Sequence, residues 1–220
     1  MSCRAPRSGR LAVVIANGHA PSIQDAAARL RRADLLICAN GGLRIARRVG
    51  VPPQIVIGDF DSAPAGLLRW AQAHDARLIR HPARKDKSDT ELALDAAIEG
   101  GASEVEFLGV LGGNVDHSLA NVALLVQAEA KGIRARIVDG EQQLFLARRK
   151  TAVPGRRGDI VSLIPMTPTV TGITLTGFRY PLKNATARQG STRTISNVID
   201  RSPATIRFKR GRLLVVVTHH

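Results

Sequence analysis

The sequence predicts an α/β domain with a mostly parallel sheet over residues 1–140, followed by an all-β domain over 141–220. Two observations carry that prediction. Short apolar β-type runs alternate with segments of helical spacing through the first part, as in a parallel sheet covered by helices on both faces. After Asp139-Gly140 the texture changes to short strand candidates separated by Gly, Pro and Asn, which suggests an antiparallel sandwich or barrel. The boundary is placed at Asp139 to Glu141.

The elements follow in order. Leu11 to Ala16 is the first strand, and Gln24 to Arg32 the first helix by its spacing. Leu35 to Ala39 is the second strand, followed by a helix over Leu43 to Val49. Gln54 to Ile57 and Arg77 to Ile79 are strands on either side of a helix over Ala65 to His74. A helix over Thr90 to Glu99 leads to a strand over Glu104 to Gly109, and a helix over Leu119 to Lys131 leads to one over Arg134 to Val138. The expected class is thus a Rossmann-like α/β domain. The second part offers strands over Gln142 to Ala147, Asp159 to Ile164, Thr169 to Leu175, Arg193 to Ile199, Ala204 to Phe208 and Arg212 to Val217.

Composition narrows the functional classes. Hydrophobic content of 44% and charged content of 23% are ordinary for a globular protein, and 220 residues suffice for a core. No apolar run approaches the roughly 20 residues that span a bilayer. Leu11 to Ala16 is too short for a signal-peptide core, so a cytoplasmic protein with no membrane partner is expected. Cys3 lies near the terminus and Cys38 in a strand, which indicates neither a disulfide framework nor a cysteine zinc site. Residues 1–140 carry 18 basic and 15 acidic groups (+3), whereas 141–220 carry 14 and 3 (+11). A basic half attracts nucleic acid, membrane surface or polyphosphate. Its arginines are scattered and aromatics amount to only 3%, so a solvated basic surface is favoured over a nucleic-acid site.

The most informative motif is Ile57-Gly58-Asp59-Phe60-Asp61-Ser62, after the apolar run Ile55-Val56-Ile57. Ligands collect at the carboxyl ends of strands in an open α/β sheet, and two hard oxygen donors there suit Mg²⁺ shared with a phosphate-bearing substrate. A solvated turn with an aspartate capping a helix near Ala63-Pro64 accounts for one of the two. Asn40-Gly41-Gly42 follows the second strand, where glycine admits close backbone approach and the next helix offers amides to an anion. A tight turn into a helix uses the same glycines. In Lys85-Asp86-Lys87-Ser88-Asp89-Thr90, either Ser88 or Asp89 is a plausible helix cap.

Gly109-Val110-Leu111-Gly112-Gly113-Asn114-Val115-Asp116-His117 lies between a buried strand and the helix carrying Asn121. Its glycines suit phosphates, with Asp116 and His117 at the helix entrance; Asp116 as a simple N-cap fits nearly as well. His117 is a candidate base or phosphate donor, ranked below the aspartates. Gln189-Gly190-Ser191-Thr192-Arg193-Thr194-Ile195-Ser196-Asn197 offers hydroxyl and amide groups to a small polar ligand, or is a hydrophilic hairpin.

In this order the clusters resemble the thiamine pyrophosphokinases, also called thiamine diphosphokinases. The resemblance rests on Ala16-Asn17-Gly18, Asn40-Gly41-Gly42, Gly58-Asp59-Phe60-Asp61-Ser62, Lys85 to Ala93, Gly112 to His117 with Asn121, and Ser196-Asn197. It implies an α/β catalytic, nucleotide- and metal-binding domain over 1–140, a β-sandwich thiamine-binding domain over 141–220, and a homodimer with active sites at the subunit interface. The implied reaction moves the β,γ-diphosphoryl unit of ATP to the hydroxyethyl oxygen of thiamine, giving thiamine diphosphate and AMP. Asp59, Asp61 and Asp89 are then assigned to Mg²⁺ and the phosphates. Asp116 aligns the substrate hydroxyl or accepts its proton. Asn17, Asn40, Gly41, Gly42, Lys85, Gly112, Gly113 and Asn114 line the nucleotide. His117, Ser196 and Asn197 join Asp116 on thiamine.

The family usually has Asp where this chain has Asn40, and Arg where it has Asn114. Asn keeps a carbonyl oxygen but removes a charge, and the change at 114 removes a bidentate phosphate donor for which Arg84, Lys85, Lys87 or an arginine of the basic half reaching across a dimer could substitute. Trp70 is assigned to the core, leaving Phe178, Tyr180 or Phe208 to stack on the substrate. Two other readings are a pyrophosphokinase for another heterocyclic alcohol, such as a hydroxymethylpterin, and a catalytically weakened relative binding nucleotide or nucleic acid.

Overall fold

The computed structural model describes residues 9–220 except Ser62, Ala83 and Lys85, so Cys3 and Lys85 lie outside the described residues. The chain divides into two compact units between Gly140 and Glu141. In the first, strands and helices alternate: β1 (Leu11–Ile15), α1 (Ile23–Leu30), β2 (Leu35–Ala39), a 3₁₀ turn (Asn40–Gly42), α2 (Leu43–Val49), β3 (Ile55–Gly58), α3 (Ala65–Gln72), β4 (Arg77–Arg80), α4 (Asp89–Glu99), β5 (Glu104–Leu108), α5 (Val115–Ala130) and β6 (Arg134–Asp139). The strands pair in parallel in the order β6-β5-β1-β2-β3-β4.

β1 and β2 are buried at every position, because a parallel sheet with helices on both faces has no solvent side. Leu11, Val13 and Ile15 of β1 join Ala26 and Leu30 of α1 and Leu43 and Ala46 of α2 in one core. Ala12 and Val14 point to the opposite face, where α4 packs over β1, β2 and β3 and against α5. Trp70 is a half-buried member of the first core, with the Arg47 guanidinium 5.1 Å from its ring centre. Cys38 is buried, and burial pushes its thiol up.

One β5 position breaks the apolar pattern. Glu106 is fully buried, and its carboxylate accepts from Arg29 at 3.0 Å, from Arg136 at 2.7 Å and from Arg32. Burial pushes its carboxyl up, but Arg136, Arg32 and Arg29 outweigh that and hold it below the ordinary glutamate value.

The second unit is β-rich. Its strands are β7 (Gln142–Leu146), β8 (Lys150–Ala152), β9 (Ile160–Pro165), β10 (Thr169–Thr176), β11 (Leu182–Arg188), β12 (Asn197–Val198), β13 (Thr205–Arg207) and β14 (Leu213–Thr218). They pair antiparallel in the orders β12-β9-β14-β7 and β11-β10-β13-β8. Val161 and Leu163 of β9, Val170 and Ile173 of β10, Ile206 of β13 and Val215 of β14 meet in one core.

Three sequence expectations are corrected. α5 begins at Val115 rather than Leu119: the turn ahead of Leu119 is largely exposed and holds a single apolar residue, Val115, too few to show a period. The strand expected over Arg193 to Ile199 shrinks to β12, since Ser196 takes a left-handed φ of 56° and Thr194 bonds sideways to the Leu163 carbonyl at 2.7 Å. β8 and β11 were not among the expected strands: β8 is three residues with no buried side chain, and of the side chains of β11 only Ala187 is buried, too thin a signal for an alternating pattern.

Candidate functional site

Because β1, β2, β3 and β5 are parallel, the loops that follow them share one edge of the sheet. The strand order reverses between β1 and β5, and such a switch point opens a crevice beyond the carboxyl ends. There the structure has a cleft of about 660 Å³, lined by Ala16 to Gly18 after β1, Ala39 to Gly41 after β2, Asp59 after β3 and Gly109 with Gly112 to Asn114 after β5. The start of α4 and the first turns of α5 complete it.

The loops brace one another through backbone bonds. Gly18 N–H donates to the Gly109 carbonyl at 2.6 Å and His19 N–H to that of Leu111 at 2.7 Å. Asn121, 8% exposed, donates to the Val110 carbonyl at 2.7 Å and anchors the glycine loop to α5. Gly112 sits at φ 82°, and a Cβ there would lie 2.2 Å from the His19 ring, so only glycine fits this crossing.

At the floor of the cleft three loops converge on Asn40. Its Nδ2 donates to Asp59 Oδ1 at 3.2 Å and to Asp89 Oδ2 at 2.6 Å. Asn40 has φ 46° and Phe60 φ 64°, a conformation that is uncommon outside glycine and collects at functional loops. Phe60 is 6% exposed and belongs to the core beneath, so its ring pins the loop that presents Asp59. Neither Asp59 nor Asp61 caps a helix, for α3 starts behind Pro64 with no side-chain cap. Ser88 caps α4 by accepting from Glu91 N–H at 3.2 Å, and Asp89, the first helical residue, faces the cleft.

The structure brings together Asn17, Asn40, Gly41, Asp59, Asp89, Gly112, Gly113, Asn114 and His117 of the expected residues. Asp61, Asp116 and Gly42 fall outside the lining. Asp61 is exposed, and its backbone N–H rather than its carboxylate meets Asp59 Oδ1, at 3.2 Å. Asp116 is not the N-cap of α5; Asn114 holds that position, and Asp116 sits exposed in the first turn, accepting from His117 N–H at 2.8 Å. Gly42 is buried under the Ile15 carbonyl. Lys87 borders the cleft, but its ammonium is held by Asp95 at 2.6 Å, which with Glu91 raises its pKa. Asp86 and Thr90 also line the cleft; the sequence marked them only as members of the Lys85 to Thr90 cluster, without a role of their own.

Among the described residues no group of three or more His, Cys, Asp or Glu side chains could hold a metal ion. The reason is visible: the third side chain at the floor is the amide of Asn40. Two carboxylates, joined by the Asn40 carbonyl oxygen once its amide is turned over, make an all-oxygen donor set; as placed, that oxygen is buried and without a hydrogen-bond partner among the described residues. Mg²⁺ is commonly held by one or two carboxylates together with substrate phosphates, so these residues fit it.

In the second unit, Ser196 is exposed and its N–H donates to Ser162 Oγ at 2.9 Å. Asn197 is 8% exposed and turned into its own chain: Oδ1 accepts from Tyr180 N–H at 3.1 Å and Val198 N–H at 2.9 Å, and Nδ2 donates to the Tyr180 carbonyl at 2.8 Å. Of the three aromatic candidates Phe178 and Phe208 are buried, at 5% and 6%, while Tyr180 is 61% exposed.

Comparison with known proteins agrees over both units. Residues 26–137 match the family described as thiamin pyrophosphokinase, catalytic domain. Residues 148–213 match thiamin pyrophosphokinase, vitamin B1 binding domain. A thiamine pyrophosphokinase of Bacillus subtilis is 31% identical over 205 residues, covering 92% of this chain and 96% of that one. The crystal structure of thiamine pyrophosphokinase from Bacillus subtilis superposes with a TM-score of 0.84 at 27% identity, covering 96% of this chain and 99% of that chain. The enzyme from Candida albicans shares the fold at 13% identity, with a TM-score of 0.82 over 96% of this chain and 89% of its own.

Proposed function

The chain belongs to the thiamin pyrophosphokinase family, and from that premise we propose how its acidic cleft carries the transfer of diphosphate from ATP to thiamine. One observation supports this above others: two carboxylates from sequence-distant loops converge at the carboxyl edge of a parallel sheet, beside glycine loops open to a phosphate chain. The match of residues 148–213 to a vitamin B1 binding domain favours thiamine over a pterin alcohol.

In this reading Asp59 and Asp89 would hold Mg²⁺, which when bound would supply charge neutralisation for the transferred group and the leaving AMP. Asp61, exposed on the same loop, orders water beside it. Asn17, Asn40, Gly41, Gly112, Gly113 and Asn114 orient the nucleotide, with Gly42 supporting the turn beneath and Lys85 reaching a phosphate. The thiamine hydroxyl oxygen forms a bond to the β-phosphorus, the bond from that phosphorus to the α,β-bridging oxygen breaks, and AMP leaves. The proton of the hydroxyl passes to Asp116, with His117 beside it. Such transfer needs positioning and charge compensation more than covalent help from the protein.

Ser196 and Tyr180 contact the vitamin, and Asn197 holds the Tyr180 segment in place. The first unit acts as the Rossmann-like catalytic domain and the second as the thiamine-binding sandwich. The protein works in the cytoplasm as a homodimer with active sites at the subunit interface. Val115 and Leu119, 73% and 67% exposed and one turn apart on α5, are the apolar surface a second copy covers. Among the described residues no helix is long and apolar enough to cross a membrane.

The test is AMP release from ATP and Mg²⁺ with and without thiamine. Thiamine-dependent AMP with an equal amount of thiamine diphosphate is the expected result; no turnover with thiamine would overturn the reading.

A further inference from the structure

Asn40 does something at the floor of the cleft that neither an aspartate nor a simple metal ligand would do. Both hydrogens of its amide are committed, one to Asp59 Oδ1 at 3.2 Å and one to Asp89 Oδ2 at 2.6 Å, the full donor capacity of that group. Its oxygen is buried and, among the described residues, has no hydrogen-bond partner. An orphaned oxygen is unfavourable, so the orientation is imposed from the other end: turned over, the amide would aim its oxygen at two carboxylates. Gly58 completes the arrangement, because a Cβ there would lie 2.6 Å from Asn40 Oδ1, and the glycine leaves the space this oxygen occupies.

We propose that the Asn40 amide acts as an internal hydrogen-bond clamp that bridges Asp59 and Asp89 in the nucleotide-free protein, so that free divalent metal binds weakly and enters together with the triphosphate. The inference rests on the reading of Asp59 and Asp89 as the metal and phosphate ligands. An amide nitrogen has no lone pair to offer a metal, so a cation between the carboxylates must first displace Nδ2. Two hydrogen bonds are lost in doing so. Rotating the amide by half a turn then brings Oδ1 round as a ligand and removes the orphan, with no change in the backbone of the 3₁₀ turn. The phosphate oxygens arriving with the metal supply the ligands that tip this exchange, which a hydrated ion alone lacks.

The experiment measures Mn²⁺ binding to the whole chain without thiamine, by calorimetry or electron paramagnetic resonance, with and without a non-hydrolysable ATP analogue. The melting temperature is followed in EDTA alongside. Without nucleotide the wild type is expected to bind Mn²⁺ at least about tenfold more weakly than Asn40→Asp, since site affinity follows ligand charge. Asn40→Asp should melt below the wild type in EDTA and recover with Mn²⁺. Asn40→Gly, which keeps the left-handed backbone and deletes the side chain, is the sharper variant: it should bind free Mn²⁺ several-fold more tightly than the wild type, because the competing donor is gone. A purely structural asparagine would give no gain, and one that already serves as an oxygen ligand would give a loss; either result for Asn40→Gly overturns the proposal. The analogue should raise the wild type's Mn²⁺ affinity more than that of either variant, and an equal rise in all three would also overturn it. If these arms come out as expected while thiamine-dependent AMP release is absent, the clamp stands and the assignment of the reaction fails.

Discussion

Replacing Asn197 by alanine separates a residue that touches substrate from one that shapes the protein. The side chain is 8% exposed and makes three hydrogen bonds, two to Tyr180 and one to Val198. Each buried bond of this kind contributes about 1 kcal/mol net, and alanine leaves backbone groups of Tyr180 and Val198 without their partner. Water reaches part of this segment, because Tyr180 is exposed, so the loss is expected near 2–3 kcal/mol rather than higher. For a domain the size of the second unit, that lowers the melting midpoint by about 10 °C or more. Thermal and urea unfolding followed by circular dichroism measures it, and steady-state kinetics on the same preparation should show a raised thiamine KM as the Tyr180 segment loosens. Wild-type melting with a raised KM would refute the reasoning, since Asn197 would then act by contact with thiamine.

Asp89→Asn and Asp59→Asn should each lower kcat at least about 100-fold, the loss typical of removing one charge-stabilising group from a reacting centre; Asp61→Asn should also lower kcat, and all three should melt within a few degrees of the wild type. A melting loss that scales with the activity loss would move these residues from the reaction to the scaffold. Tyr180→Ala should raise the thiamine KM about tenfold, as expected for a lost aromatic contact, with Tyr180→Phe near wild type; equal KM values in all three proteins would remove the ring from the substrate. Glu106→Gln should destabilise the first unit by about 3 kcal/mol, because the surrounding guanidinium charges lose their counterion. Since the folded pKa of Glu106 lies below the ordinary 4.5, its contribution is fully present above that pH and is lost as the pH falls through the lower, folded value. Acid unfolding of the wild type should therefore steepen below about pH 4.5, and Glu106→Gln should show less of that steepening; identical acid limbs would refute the assignment.

Local chemistry made much of this molecule readable. The Leu-Ala-Val-Val-Ile run of β1 and the spacing of α1, α2 and α4 need no distant partner to be recognised, because a strand buried on both faces and an amphipathic helix declare themselves within a few residues. Ser88 and Asp89 show where that stops. Both suit a helix cap, and only the bond from Glu91 N–H to Ser88 Oγ shows which of them is left over for the cleft. β11 and the first turn of α5 escaped because their side chains are mostly exposed, and hydrophobic periodicity carries no signal where nothing is buried.

The amino-acid sequence by itself determined the alternation of strands and helices, the β-rich second part, and the residue types suited to phosphate and metal, since these depend on period, propensity and side-chain chemistry. Tertiary structure alone decided what those residues do to one another. Asn40 and Asp89 are 49 positions apart, and only the parallel order β2-β3-β4 brings the loops that carry them to one edge, turning an asparagine into a bridge between two carboxylates. The same holds for Asn197, polar enough to bind a ligand but spent on the backbone of Tyr180 by a contact across 17 residues. Which donor faces which acceptor is a question of distance and direction in space, and the linear order of residues contains neither until the sheet has formed.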